Sequence, residues 1–244
     1  MSTNTKPSAF PQHAPTGERA WLDWMRALPA LDWSATFARA TRVVVVSPHP
    51  DDETLACGGL IAELVARRIG LTVVAVTDGE GSHPEVAELA AVRRIEQRRA
   101  LHALGHRGPP IRLGLPDASV ACHASQLRAR LQTLVSGHTV LIAPWSRDGH
   151  TDHDACGAAA EAVAEHCGCA LLEYPVWAWQ WATPSELDED RWSTFEIAAP
   201  ARRAKSAALE CFPSQTTERF GAVIVDEHAL ARFRRPCEVV ARVR

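Results

Sequence analysis

The sequence predicts an α/β fold: a Rossmann-like three-layer α/β/α sandwich with a mostly parallel sheet. Three observations carry that expectation. The runs "RVVVVS", "LTVVAVTDG", "TVLIAPW" and "CALLEYPVW" are apolar with little polar alternation, as strands covered on both faces must be. Stretches with helical periodicity stand between them. Strand and helix alternate through most of the chain, which implies βαβ units wound onto both sides of one sheet.

Residues 1–16 are rich in Pro, Ser and Thr, lack periodicity and read as a flexible tail. In "GERAWLDWMRAL", Trp21, Leu22, Met25 and Leu28 fall at helical spacing. Residues 17–41 are therefore expected to form a helical segment docked on the main body, an oligomer contact being the other use of such a face. "RVVVVS" is the first strand, "TLACGGLIAELVARRIG" a helix closing on Gly70, and "LTVVAVTDG" a second strand. "PEVAELAAVRRIEQRRALHALG" reads as a long helix ending at Gly105, "IRLGLP" as a short strand and "CHASQLRARLQTLVSG" as a helix. "TVLIAPW", "DHDACGAAAEAVAEHCG" and "CALLEYPVW" continue as strand, helix, strand. A polar excursion follows over 184–195, then a helix near 201–211 and a last strand at "GAVIVD". No repeat or composition break divides residues 42–244, so they are expected to form one domain.

Composition excludes several classes. With 46% apolar and 23% charged residues and a net charge of −3, the 244-residue chain is neither a disordered polymer nor a partner for nucleic acid. No apolar run approaches the ~18 residues of a membrane span, and the N-terminus has no apolar signal core, so a cytoplasmic protein with no membrane span is expected. Seven cysteines, an odd number without a CxxC pair, fit free thiols in a reducing compartment.

The chemistry sits in two clusters. In "SPHPDDET", His49, Asp51 and Asp52 follow the first strand at its carboxyl end, where open α/β sheets place ligands. Pro48 and Pro50 stiffen the loop, and one aspartate caps the next helix. Two adjacent carboxylates beside an imidazole repel unless a cation is shared. After another strand, "LIAPWSRDGHTDHDACG" places His150 and His153 three residues apart at a helix start, around Asp152. Each cluster alone is what a capped turn or a decorated helix produces. Together, at the carboxyl edges of two buried strands, they offer imidazole nitrogens and a carboxylate oxygen, a donor set suited to catalytic Zn²⁺ with one open position. The motifs for dinucleotides (GxGxxG), for P-loops (GxxxxGK[ST]) and for a nucleophilic serine (GxSxG) are missing.

"PHPDDE", "VRRIEQRRALHALG", "RLGLPD", "DGHTDH" and "KSAALECFPSQ", in that order, resemble the PIG-L/LmbE-like family of zinc-dependent N-deacetylases over residues 42–216. The resemblance implies a Rossmann-like fold and one Zn²⁺ per chain held by His49, Asp52 and His153. It implies Asp51 as general base and His150 as the group that meets the oxyanion or protonates the departing amine. It further implies a hydrolase removing an acyl group from the nitrogen of an N-acyl amino sugar or related small glycoconjugate. A non-catalytic metal or small-molecule binding protein, a phosphoesterase and a zinc amidase for a non-sugar amide are the alternatives. Asp152 is expected to orient an imidazole or cap its helix. Arg93, beside Glu96 in the same motif, and Asp117 match family substrate contacts, their plain readings being a solvated helix face and a turn. Asp78 and His83 fall at the same sheet edge. Where some members carry a tyrosine before the "GH", this chain has Ser146, Arg147 and Asp148, with Arg147 as the candidate replacement. Trp177, Trp179 and Trp181 are read on strand spacing, on one face, against a sugar, the core edge or a second copy. The expected partner is a small-molecule substrate, with room for a homo-oligomer.

Overall fold

A computed structural model of the chain describes residues 16–187 and 189–243. Most of the expected tail lies outside the described residues; at its end Thr16 Oγ1 donates to the Ala182 carbonyl at 2.7 Å. Helices α1 (Glu18–Ala27) and α2 (Trp33–Phe37) precede the sheet. The first half of the sandwich is β1 (Arg42–Ser47), α3 (Asp52–Ala66), β2 (Leu71–Ala75), α4 (Leu89–Ala103) and β3 (Ile111–Arg112). The second is α5 (Ala124–Gln132), β4 (Thr139–Pro144), α6 (Thr151–Cys167) and β5 (Ala170–Tyr174). The chain ends with α7 (Ala178–Trp181), β6 (Trp192–Glu196), α8 (Ala199–Leu209), α9 (Pro213–Thr216), α10 (Glu227–Phe233) and β7 (Cys237–Arg242).

The seven strands run in the order β3-β2-β1-β4-β5-β7-β6. The first five are parallel, and β7 and β6 are antiparallel additions at one edge. The valines of β1 show why the sheet needs two helical layers. Val43 and Val45 enter the core with α1, α3 and α8, whereas Val44 and Val46 enter the core with α5 and α6, and all four are fully buried. Strand order reverses between β1 and β4, so both strands deliver their following loops to one crevice, the switch point of a doubly wound sheet.

Several expectations are corrected. "GAVIVD" is not a strand: Ile224 N and Val225 N both donate to the Gln215 carbonyl, which folds the segment onto α9. The last strand is β7, and β6 begins inside the expected polar excursion. The helix expected from Pro84 starts only at Leu89, after turns closed by Val86 N to His83 O and Leu89 N to Val86 O. Ladder bonding after Arg112 persists through Leu113 and Leu115, but Gly114, at φ 63°, breaks the strand geometry. The strand before the tryptophans ends at Tyr174, so Trp179 and Trp181 fall on a helix and the three rings do not share a strand face.

Helix α1 docks through Trp21, Trp24, Met25 and Leu28, with Trp24 taking the place expected of Leu22. Its indoles join an edge-to-face cluster, Trp21 on Trp179 at 4.9 Å and Trp24 on Trp192 at 6.2 Å, an arrangement the ring quadrupoles favour. Arg235 clamps Glu18 through Nε and Nη2 at 2.9 and 2.7 Å. This segment therefore packs against the region that follows β5.

At the site end of the sheet, α6 lies directly on the end of β4. A Cβ at Gly157 would stand 2.6 Å from the backbone of Ser146 and 2.7 Å from the Pro144 carbonyl. Gly157→Ala should thus lower stability by about 1–3 kcal/mol through overpacking, measured by denaturant unfolding; an unchanged midpoint would show that the helix can lift without cost.

Candidate functional site

The loop after β1 is wound tightly. Asp51 N and Asp52 N both donate to the His49 carbonyl, and Asp52 Oδ2 accepts His49 N at 2.9 Å. Ser47 Oγ lies 2.6 Å from the His49 carbonyl and 2.5 Å from Glu53 Oε2. One hydroxyl hydrogen cannot serve both acceptors, and burial raises the Glu53 pKa to about 7, so a Glu53 proton completes the chain. Gln97 Nε2 also donates to Glu53, tying α4 to the loop.

Helix α6 brings the second cluster to the same point. His49 Nδ1 lies 3.1 Å from Asp52 Oδ2, Asp52 Oδ2 lies 3.2 Å from His153 Nε2, and His153 Nε2 lies 3.3 Å from His49 Nδ1. Ligands at 2.0–2.1 Å from a tetrahedral ion are about 3.3 Å apart, so these three atoms have the spacing of one face of such a site. All three residues are buried. The donor atoms of His49, His150 and His153 likewise lie within 4.8 Å of one another. The residues fit a zinc ion.

Each imidazole is held from behind. His153 Nδ1 meets Asp148 Oδ2 at 2.8 Å, and the fully buried Asp148 also accepts from Val176, Trp177 and Ala178 N at 2.9–3.0 Å. Burial opposes a proton on His153, but Asp52 and Asp148 overcome it and hold the pKa near 9. His49 Nε2 faces Asp117 Oδ1 at 3.1 Å and Asp152 Oδ2 at 3.3 Å. Burial works against the His49 proton too, and Asp117, Asp152 and Asp52 together keep its pKa well above the ordinary value. Asp152 also accepts from Ala118 N and Val120 N, while His150 Nδ1 accepts from Asp152 N at 3.2 Å. The cap of α6 is thus His150, and Asp152 orients an imidazole.

Asp51 stands outside the triangle. Its Oδ1 accepts from Arg93 Nη2 at 3.0 Å, and Arg93 Nη1 donates to the Gly79 carbonyl. Burial raises the Asp51 pKa, and the Arg93 charge partly opposes the rise. Arg93 is 3% exposed and its guanidinium is turned inward, as is Asp117. Arg147 is exposed, with its guanidinium 5.1 Å over the Trp145 ring. Asp78 is paired with Arg112 and Arg94, and the buried His83 contacts the Ala222 carbonyl through Nε2. Glu96 accepts from Ser214 N and Oγ, fastening α4 to α9. Trp177 stacks on His150 at 5.9 Å and 26°, forming one wall.

Residues 44–164 match the family described as PIG-L, GlcNAc-PI de-N-acetylase. The chain carries a domain of the PIG-L family. It is 29% identical to a Rhodococcus erythropolis 1D-myo-inositol 2-acetamido-2-deoxy-alpha-D-glucopyranoside deacetylase over 60% of each chain. It is 34% identical to a probable N-acetyl-alpha-D-glucosaminyl L-malate deacetylase of Bacillus anthracis, over 50% of this chain and 58% of the relative. The match thus spans less than two thirds of either relative's length. In fold it is similar to the N,N'-diacetylchitobiose deacetylase of Pyrococcus horikoshii, with a TM-score of 0.61, 20% identity, and coverage of 86% and 83% of the two chains. The PIG-L segment contains every residue of the triangle and Asp148, but Trp177, α8 and α9 lie beyond it.

Asp148, Glu53 and Trp177's contact with His150 are absent from the sequence-based assignment. The signal for Asp148 was there: a carboxylate five residues before a ligand-type histidine, next to a strand end. Asp148→Asn should turn an NH₂ toward backbone N–H groups and cost about 2–4 kcal/mol, whereas Arg147→Ala should stay within about 1 kcal/mol. Equal losses in urea unfolding would refute the structural ranking.

Proposed function

We propose that this chain is a zinc-dependent hydrolase that removes an acyl group, acetyl by preference, from the nitrogen of an N-acyl amino sugar or related small glycoconjugate. The observation that carries the reading is the near-equilateral triangle of His49 Nδ1, Asp52 Oδ2 and His153 Nε2 with Asp51 beside it but outside it. Its PIG-L domain and the deacetylase names of its relatives support the substrate class. Zinc, when bound by His49, Asp52 and His153, lowers the pKa of a water and polarises a carbonyl.

The chain's own groups supply the rest. Asp51, with Oδ1 held by Arg93, takes the attacking water's proton at Oδ2 and returns it to the departing amine nitrogen. A raised pKa suits that role, because the carboxylate is then a stronger base. His150 is neutral: burial above all pushes its pKa down to about 2. Since Nδ1 accepts from Asp152 N, the ring proton is on Nε2, so His150 donates a hydrogen bond to the developing oxyanion.

A zinc amidase for a non-sugar amide is the second reading. It is favoured by the inward placement of Arg93 on Asp51 and of Asp117 on His49, which leaves neither as an evident sugar contact.

Three outcomes are expected. Hydrolysis of N-acetylglucosaminyl compounds should fall with chelation and with His153→Ala; turnover indifferent to both would remove zinc from the reading. Asp51→Asn should retain zinc and lose 10²–10⁴-fold in kcat, while Asp52→Asn should weaken zinc binding itself, compared by metal content after dialysis. Arg93→Met removes the charge that lowers the Asp51 pKa, so the acid limb of kcat/KM should move up by about 1 pH unit or more. The rate then falls away at higher pH as acid is added. A limb unmoved in that variant would take Asp51 out of the role of base.

A further inference from the structure

A small cleft of about 20 Å³, room for roughly one water-sized group, opens beside the kink of α3, lined among others by Trp179, Lys205, Arg232, Phe233, Cys237 and Glu238. None of the clustered histidines or aspartates lines it. Helix α3 is interrupted at Cys57, and the freed Gly59 N and Leu60 N donate to the Glu238 carboxylate at 2.6 and 2.8 Å. Lys205 Nζ donates to the same carboxylate at 2.7 Å and matches its charge. The second cation has no such partner. Arg232 is 4% exposed, and its Nη1 donates to neutral acceptors, the Trp179 carbonyl and Gln180 Oε1. Its Nε is buried without an acceptor among the described residues. Arg235 provides the contrast, since its Nε and Nη2 grip both oxygens of Glu18. Of the two cations lining the cleft, only Lys205 is hydrogen-bonded to a carboxylate, and a guanidinium withdrawn from water carries a large desolvation cost unless an anion meets it. Burial and then repulsion from Arg235 lower the Arg232 pKa, against a smaller opposing pull from the Glu18 and Asp226 carboxylates.

We propose that this cleft is an anion site in which Arg232, through Nε, binds a small monoanion of halide or carboxylate size. The anion completes a structural joint. Arg232 belongs to α10, its Nη1 acceptors to α7, and the cleft is walled by α3 and β7. Its effect is on stability, independent of the hydrolytic reading of the His/Asp cluster.

The test is thermal unfolding of the full chain in sodium bromide or sodium acetate, each replacing sodium gluconate at constant ionic strength. The midpoint should rise with the logarithm of the anion concentration above the dissociation constant, by roughly 3–6 °C at tenfold excess over it. The arm with the larger rise, halide or carboxylate, names the preferred ligand. Arg232→Met should abolish the rise, and His153→Ala should keep it, because an anion drawn to the His/Asp cluster would behave the opposite way. A bromide anomalous peak beside Arg232 Nε in crystals of the wild-type chain provides the readout that does not need the variant to fold. A wild-type midpoint indifferent to both anions, a rise that survives Arg232→Met, one lost in His153→Ala, or no peak at Nε would each overturn the site.

Discussion

Parallel pairing of β1 with β4 is the constraint on which the rest of this molecule depends. With Val43 opposite Val140 and Val45 opposite Ile142, the two strands end level. Their loops then have nowhere to go but into the crevice where strand order reverses. His49, Asp51 and Asp52 arrive from one side and His150 and His153 from the other, about a hundred residues apart in sequence, with His153 within hydrogen-bond distance of His49 and Asp52. The close seating of α6 on β4, which only a glycine at position 157 permits, fixes the depth at which His153 enters.

That crevice concentrates charge in a place that disfavours it. Asp51, Asp52, Asp148 and Asp152 are all buried, and each is tolerated for a different reason. Asp51 has Arg93; Asp52 has two imidazoles and a backbone N–H; Asp148 has three backbone N–H groups and His153; Asp152 has two backbone N–H groups and His49. Buried carboxylates satisfied in this way contribute geometry more than net stability, because their desolvation offsets much of what their partners return. The result is a donor set whose atoms are held in place before any ligand arrives, the condition under which a polar site acts without reorganising.

The segments outside the PIG-L match frame the entrance. Helix α1 is pinned by the tryptophan cluster and by the Glu18–Arg235 clamp against the region of α7. From that region Trp177 reaches His150, while the Asp148 carboxylate that positions His153 also gathers the N–H groups leading into α7. The wall of the site and the back of the triangle thus share one side chain. Selection of small molecules at concave sites is set largely by the walls and rims.

The sequence by itself determined what is local or periodic. Unbroken apolar runs declared parallel strands covered on both faces, and the helical stretches between them declared the crossovers, because burial on two sides leaves no room for polar alternation. The proline-stiffened "PHPDD" loop and the "HTDH" helix start marked His49, Asp52, His150 and His153 as a donor group, since residue type and spacing carry that signal, while the choice of His49, Asp52 and His153 as ligands came from the family resemblance. Only the tertiary structure decided what depends on contacts across the chain. Asp148 is a loop aspartate in sequence and the keystone of two segments in space, because its partners at 176–178 are brought to it by β5. The three tryptophans looked coplanar only if the strand continued past Tyr174. The N–H groups that a longer strand would have used are instead bound to Asp148, and the chain turns into α7. The antiparallel edge of β7 and β6 was hidden for the same reason: edge strands are chosen by the neighbour available to pair with them, and no stretch of sequence states where that neighbour will be.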